Sequence, residues 1–309
     1  MARPLRVEYA GAIYHVLSRG DRREAIVRDE ADRNLWLGLL EKACRRSGWE
    51  IHAYCLMSNH FRLVVETPRS NLSAGMQWFL GSYTQQFNRR HGLSGHLFGG
   101  RYKALLVDGR EGSYLRVVCD YVHLNPVRAG LVGKGAKVSS YPWSSCAQYL
   151  RPARQRPWWL RTDRLLGEHG IVRDGVAGRR EFSRRMEALR TQANDPEALQ
   201  AVRRGWKLGA EDFLDWVLER IEVRTGEGHR RLERDETEEG RAKRIVGAEM
   251  KRLGWTRAEL KRRKKGDPAK VALARRLRSE TAVSLKWIAE NLEMGTWTHV
   301  SNRLHHLPE

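Results

Sequence analysis

The stretch Met57-Ser58-Asn59-His60-Phe61-Arg62-Leu63-Val64-Val65-Glu66 decides how this chain is read. Alternate residues of a strand point to opposite faces, so Phe61, Leu63 and Val65 form an apolar row that packs under helices. His60, Arg62 and Glu66 fall on the other row, expected to be an open polar face. A second apolar run, Glu50 to Met57, joins it through Ser58-Asn59 and predicts a neighbouring strand.

Outward from this pair, Ala31 to Arg46 carries Leu35, Trp36, Leu39, Leu40 and Ala43 at helical spacing and ends at Gly48. Asn71 to Arg90 reads as a second helix. Ala12 to Ser18 and Arg101 to Val107 read as strands, and Glu111 to Leu124 as a third helix that Pro126 stops. The order β-α-β-β-α-β-α is the split βαβ, or ferredoxin-like, pattern, an α+β domain with an antiparallel sheet over residues 1–150. Many functions share that fold, so the side chains must decide between them.

The 309 residues hold 57 Lys+Arg against 37 Asp+Glu, a net charge of +20, and 45 of the basic residues are Arg. Such an excess favours a polyanionic partner, nucleic acid first, although GC-rich codon usage also enriches arginine. Residues 1–150 carry +9, residues 151–240 only +1 and residues 241–309 +10. The middle stretch, with runs such as Arg230-Arg231-Leu232-Glu233-Arg234-Asp235-Glu236, reads as a charged helical connector between two basic domains. A mean hydropathy of −0.63, with no apolar run long enough to span a bilayer, excludes an integral membrane protein. No secretory signal opens the chain, and Cys44, Cys55, Cys119 and Cys146 form no C-x-x-C pair. A cytoplasmic, nucleoid-associated protein with reduced thiols is expected.

Residues 241–309 read as a small all-α domain. Thr256 with Glu259 forms a capping box, Asp267-Pro268 opens the helix through Lys270 to Arg278, and Ser284 caps Leu285 to Leu292. After Met294-Gly295 a polar helix runs from Trp297 to Leu304, which makes a helix-turn-helix. Thr298, His299, Ser301, Asn302 and Arg303 are its candidate readers of base edges or phosphates. Lys261-Arg262-Arg263-Lys264-Lys265 is a candidate clamp on duplex backbone.

Several motifs occur together in the first 150 residues: Tyr14-His15-Val16, Arg19-Gly20, the 57–62 stretch, Gly95-His96-Leu97-Phe98 with Arg101-Tyr102-Lys103, Tyr121-Val122-His123-Leu124-Asn125-Pro126 through Gly130, and Tyr141-Pro142-Trp143-Ser144-Ser145. In this order they resemble the REP-associated tyrosine transposases, bacterial relatives of the single-tyrosine HUH transposases. The C-terminal region resembles the DnaA-type domains of some long members.

The resemblance implies Tyr121 as the nucleophile on single-stranded DNA hairpins, giving a 5′-phosphotyrosyl intermediate and a free 3′-hydroxyl. It implies a divalent cation, Mg²⁺ or Mn²⁺, held by His60 and with Asn125 as a further ligand candidate. This sequence departs from the family at Arg62, where the second histidine belongs. Glu66 could supply the missing ligand, Arg62 could contact the scissile phosphate directly, or cleavage could be lost and a sequence-specific DNA-binding regulator remain. Arg101, Lys103 and Arg128 are candidate phosphate contacts. An RNA-binding regulator is a weaker alternative, because the strands lack the usual pair of stacking aromatics. Monomer and homodimer both stay open.

Overall fold

The computed structural model describes residues 7–110, 113–191, 193, 207–226 and 238–305, and the run 230–236 lies outside them. Four strands, β1 (Ala12–Arg19), β2 (Glu50–Leu56), β3 (His60–Thr67) and β4 (Lys103–Val107), pair antiparallel in the order β2-β3-β1-β4. This is the ferredoxin-like arrangement expected from the element order. A short fifth strand, β5 (Lys207–Leu208), adds to β4 in parallel. On β2 the register shifts between Ile51 and Ala53, leaving His52 as the extra residue of a bulge. That shift re-aims the His52 side chain, whose Nε2 lies 2.9 Å from Glu66 Oε2.

Helices α1 (Glu30–Ser47) and α2 (Leu72–His91) cover the Phe61 row. The Trp36 ring centroid lies 5.2 Å from that of Phe61 in a tilted contact and 5.5 Å from that of Phe79 edge-on, the latter suiting the aromatic quadrupole. Asp29 caps α1 by accepting from Asp32 N, and Gly48 ends it at φ +70°, a left-handed turn that glycine adopts without a Cβ clash.

The opposite face differs from expectation. It is covered, not open: α3 (Tyr114–His123) and the single turn α4 (Asn125–Arg128) lie over it, and His60 and Arg62 are 9% and 8% exposed. Charged residues rarely sit under a helix without a polar or aromatic contact.

The described residues between 151 and 226 also depart from the connector reading. The short helices α5 (Cys146–Tyr149) and α6 (Asp163–Glu168), then α7 (Val176–Arg190) and α8 (Phe213–Gly226), follow α4. Trp159, Leu165, Phe182, Met186 and Phe213 bury in the same core as the sheet, and Leu160 bridges to Ile51. Phe182 stacks on Tyr149 at 4.8 Å. Part of the high charge that suggested a linker is spent in pairs within this layer, a buried Arg156 side chain with Asp174 at 2.6 Å and, on its surface, Glu181 with Arg184 at 2.7 Å. A few well-spaced apolar residues were enough to dock it.

A separate core forms the C-terminal unit, α9 (Glu238–Leu253), α10 (Arg257–Arg262), α11 (Pro268–Glu280), α12 (Leu285–Asn291) and α13 (Trp297–His305). Ile245, Leu273, Leu277, Ile288, Leu292 and Val300 fill it. The caps read from the sequence are present: Thr256 accepts from Glu259 N at 3.2 Å, Asp267 from Ala269 N at 2.9 Å, and Ser284 from Trp287 N at 3.1 Å. Lys270 is fully buried, and its Nζ donates to the carbonyls of Arg263 and Glu293, both at 3.2 Å, tying the turn before α13 to the end of α10.

Candidate functional site

Tyr121 projects from α3 toward the sheet face bearing His60 and Arg62. Two guanidiniums lie on its ring, Arg62 of β3 at 4.9 Å from the centroid and Arg128 of α4 at 4.0 Å. Cations over an aromatic face are attracted by its quadrupole. The His15 ring meets the same tyrosine edge-on at 5.7 Å. Tyr121 is 5% exposed. Pro126 ends the helical ladder of α3, yet proline suits the first turn of a new helix, and Asn125–Arg128 resumes as one. That restart turns Asn125 inward, with its Nδ2 3.3 Å from His60 Nε2, and swings Arg128 back so that it also donates to the Tyr121 carbonyl.

His60 is held in one tautomer. Its Nδ1 lies 2.8 Å from Asn59 Oδ1, a pure acceptor, so Nδ1 carries the proton and Nε2 presents its lone pair toward Asn125. Burial, then the charges of Arg62 and Arg19, push the imidazole down to about 4, so it is neutral at pH 7. The donors gathered here are therefore a neutral imidazole and a carboxamide. Mg²⁺ and Mn²⁺ favour several oxygen ligands, usually with a carboxylate among them, and a guanidinium occupies the place of the next donor. This set does not fit a divalent cation.

Glu66 does not complete it. Six residues along β3 from His60 is about 20 Å at strand rise, too far to share an ion. Its carboxylate is instead bound by His52, by Arg164 at 2.9 Å and by Arg161 at 3.3 Å. Burial works to raise its pKa, but the His52 contact and the two arginine charges outweigh it and hold the group below the usual range. Glu66 joins the 151–193 layer to the sheet. Among the described residues, ligand-like spacing occurs at Asp29, Asp32 and His91, where Arg90 already binds both carboxylates.

Lys103 stands opposite Leu17, which stands opposite Arg62, so the three share a row and a face; Lys103 and Arg101 are exposed. In the C-terminal unit Lys261, Arg262, Lys264 and Lys265 are exposed, as are Thr298, Asn302 and Arg303, whereas His299 and Ser301 are half-buried. Arg263 differs from its neighbours: it pairs with Asp267 at 3.1 Å and lies over Trp255 at 4.1 Å, which makes it a strut of the helical core.

Sequence reasoning missed Asn59 as the group that fixes the His60 tautomer, Arg19 as a charge acting on His60, and the placement of both Arg62 and Arg128 over the Tyr121 ring. Adjacency in the motif signalled the first; nothing local signalled the last, because α4 restarts behind a proline.

Residues 8–125, which span the sheet and the helix carrying Tyr121, match the family model described as "Transposase IS200 like". One solved structure, described as "Structure of the REP associates tyrosine transposase bound to a REP hairpin", is similar with 20% identity and a TM-score of 0.41, over 52% of this chain and 92% of that one. No curated protein matches the sequence. Among the described residues no helix is long and apolar enough to cross a membrane.

Proposed function

We propose that this protein is a single-strand DNA transposase whose Tyr121 attacks a phosphodiester at the foot of a DNA hairpin, with arginine charge at the site. The observation that carries this reading is the pair of guanidiniums, Arg62 and Arg128, at 4.9 and 4.0 Å from the Tyr121 ring. In the step, the Tyr121 oxygen bonds to phosphorus and the bond to the 3′ oxygen breaks. The tyrosyl proton leaves to solvent and the 3′ oxygen takes one up as a hydroxyl, leaving a 5′-phosphotyrosyl link that stores the bond for strand transfer. Guanidiniums stabilise the added charge on the equatorial oxygens by bidentate hydrogen bonds. Asn125, its Nδ2 held by the His60 Nε2 lone pair, then has a second N–H to donate to a phosphate oxygen. The helical unit, with the exposed Lys261, Arg262, Lys264 and Lys265 beside α13, supports duplex contact by a helix-turn-helix.

A second reading has its own observation: with Arg62 in place of a ligand and Tyr121 only 5% exposed, the protein binds hairpins as a regulator without cutting them. A 3′-labelled hairpin with single-stranded flanks separates the two. The native chain should give a labelled 3′ fragment linked to the protein through its 5′ phosphate, which Tyr121→Phe abolishes. No adduct from the native chain, with one appearing for Arg62→His in Mn²⁺, would establish the regulator instead.

A further inference from the structure

Away from Tyr121, a cleft of about 670 Å³ separates α1 and α2 of the sheet domain from α11, α12 and α13 of the helical unit. Its walls carry Lys42, Arg45, Arg46, Arg275 and Arg278 against a single carboxylate, Glu41. That carboxylate is already engaged, by Arg45 at 3.1 Å and by the Trp158 indole at 3.2 Å.

Arg46 is the decisive residue. It is 3% exposed, and its Nε and Nη2 have no hydrogen-bond partner. A buried guanidinium normally meets a carboxylate or a set of carbonyls, since an uncompensated buried charge is costly. The nearest candidate, Glu238, is spoken for: it binds Arg69 at 3.0 Å, Asn71 at 3.1 Å and the Ala282 amide at 2.7 Å, which is the seam that joins the two units. Arg46 lies instead over the Trp78 ring at 4.6 Å, and the Trp78 Nε1 donor is itself buried without a partner. Facing Arg46 from the helical unit is Arg278, another cation.

We infer that this cleft is a phosphate site, in which Arg46 and Arg278 grip one phosphate group between the sheet domain and the helical unit, with Lys42 and Arg275 at the rim and the Trp78 Nε1 as a further donor. The favoured source is the backbone of bound DNA running from one unit to the other, which extends the DNA-binding part of the reading above and does not depend on cleavage. Burial, then the Arg278 charge, lowers the Arg46 pKa to about 9, and burial lowers that of Arg278 as well. An anion between them would reverse both effects, which is the linkage expected of a site that awaits its counter-charge.

The test uses the full chain in two forms: native and the double variant Arg46→Met/Arg278→Met. Methionine keeps the packing stems and removes the charges, so without anion the double variant should melt at or above the native temperature. Inorganic pyrophosphate should raise the native melting temperature and leave that of the double variant unmoved. Affinity for the hairpin oligonucleotide should fall about tenfold in the double variant, with the slope of log affinity against log salt shallower by about one to two. Hairpin affinity is read as reversible binding, lost on denaturation, whereas the adduct of the cleavage assay survives denaturation, which keeps the two outcomes separate. Loss of the pyrophosphate response with hairpin affinity unchanged would keep the phosphate site and assign it a free phosphate compound as ligand. A folded double variant that responds to both probes like the native chain overturns the inference. A double variant that melts well below the native chain, and whose single forms Arg46→Lys and Arg278→Lys restore melting but not pyrophosphate binding, still supports it; restoration of neither assigns the arginines a packing role and overturns it.

Discussion

The two ends of β3 carry similar side chains on one face and use them in opposite ways. At the Glu66 end, a carboxylate meets His52, Arg161 and Arg164, so every charge contributed by the strand is answered by a neighbour and the result is a joint between layers. At the His60 end, two guanidiniums lie on a tyrosine ring beside a neutral histidine and an amide. The cations at this end are packed on an aromatic surface, whereas those at the other end are paired with a carboxylate. The difference locates the site at one end of a strand whose sequence alone marks both ends alike.

The largest expected effect breaks the His60 end. Arg62→Met should reduce hairpin adduct formation by about a hundredfold if its charge stabilises the transition state. Single-turnover gels would read it, and a full native rate in this variant would remove Arg62 from the chemistry.

Next is the joint. Glu66→Gln leaves Arg161 and Arg164 short of their shared carboxylate and should cost about 2 kcal/mol in urea unfolding at pH 7, discounted for partial exposure. The pH dependence follows from a folded pKa below the ordinary 4.5. The stabilisation is complete above the unfolded value and is lost as pH falls through the folded one, so the gap between native and variant should close in acid.

A subtler difference concerns His60. Its folded pKa of about 4 lies below the ordinary 6.5, so between those values the unfolded chain takes up the proton first and stability drops as pH falls. His60→Gln should flatten the stability profile between pH 6.5 and 4. The smallest effect sharpens the cause: Arg62→Met should raise the His60 midpoint, followed by NMR of the ring protons, by less than about one pH unit, because burial is the larger contribution. An unmoved midpoint would mean that Arg62 exerts no field on the imidazole.

Much of the fold was legible. The alternation through Phe61, Leu63 and Val65, flanked by helical spacing around Trp36, specifies a sheet with helices on one face, and Thr256, Asp267 and Ser284 mark helix starts that the structure keeps. Each of these signals is local, resting on neighbours within a few residues. Of the site, the sequence places His60 and Tyr121 by their motifs.

What it could not place depends on contacts between distant segments. Glu66 looks like a ligand until Arg161 and Arg164, about a hundred residues later, fold onto it; residues 151–193 look like a linker because their charge dominates the composition while Trp159 and Phe182 supply the docking. The inward turn of Asn125, the two guanidiniums over the Tyr121 ring and the buried Arg46 Nε and Nη2 without a hydrogen-bond partner likewise exist only once helices are packed. Local periodicity fixed which residues form strands and helices; only packing decided which charges found a partner, because pairing depends on distance in space and composition carries no record of it.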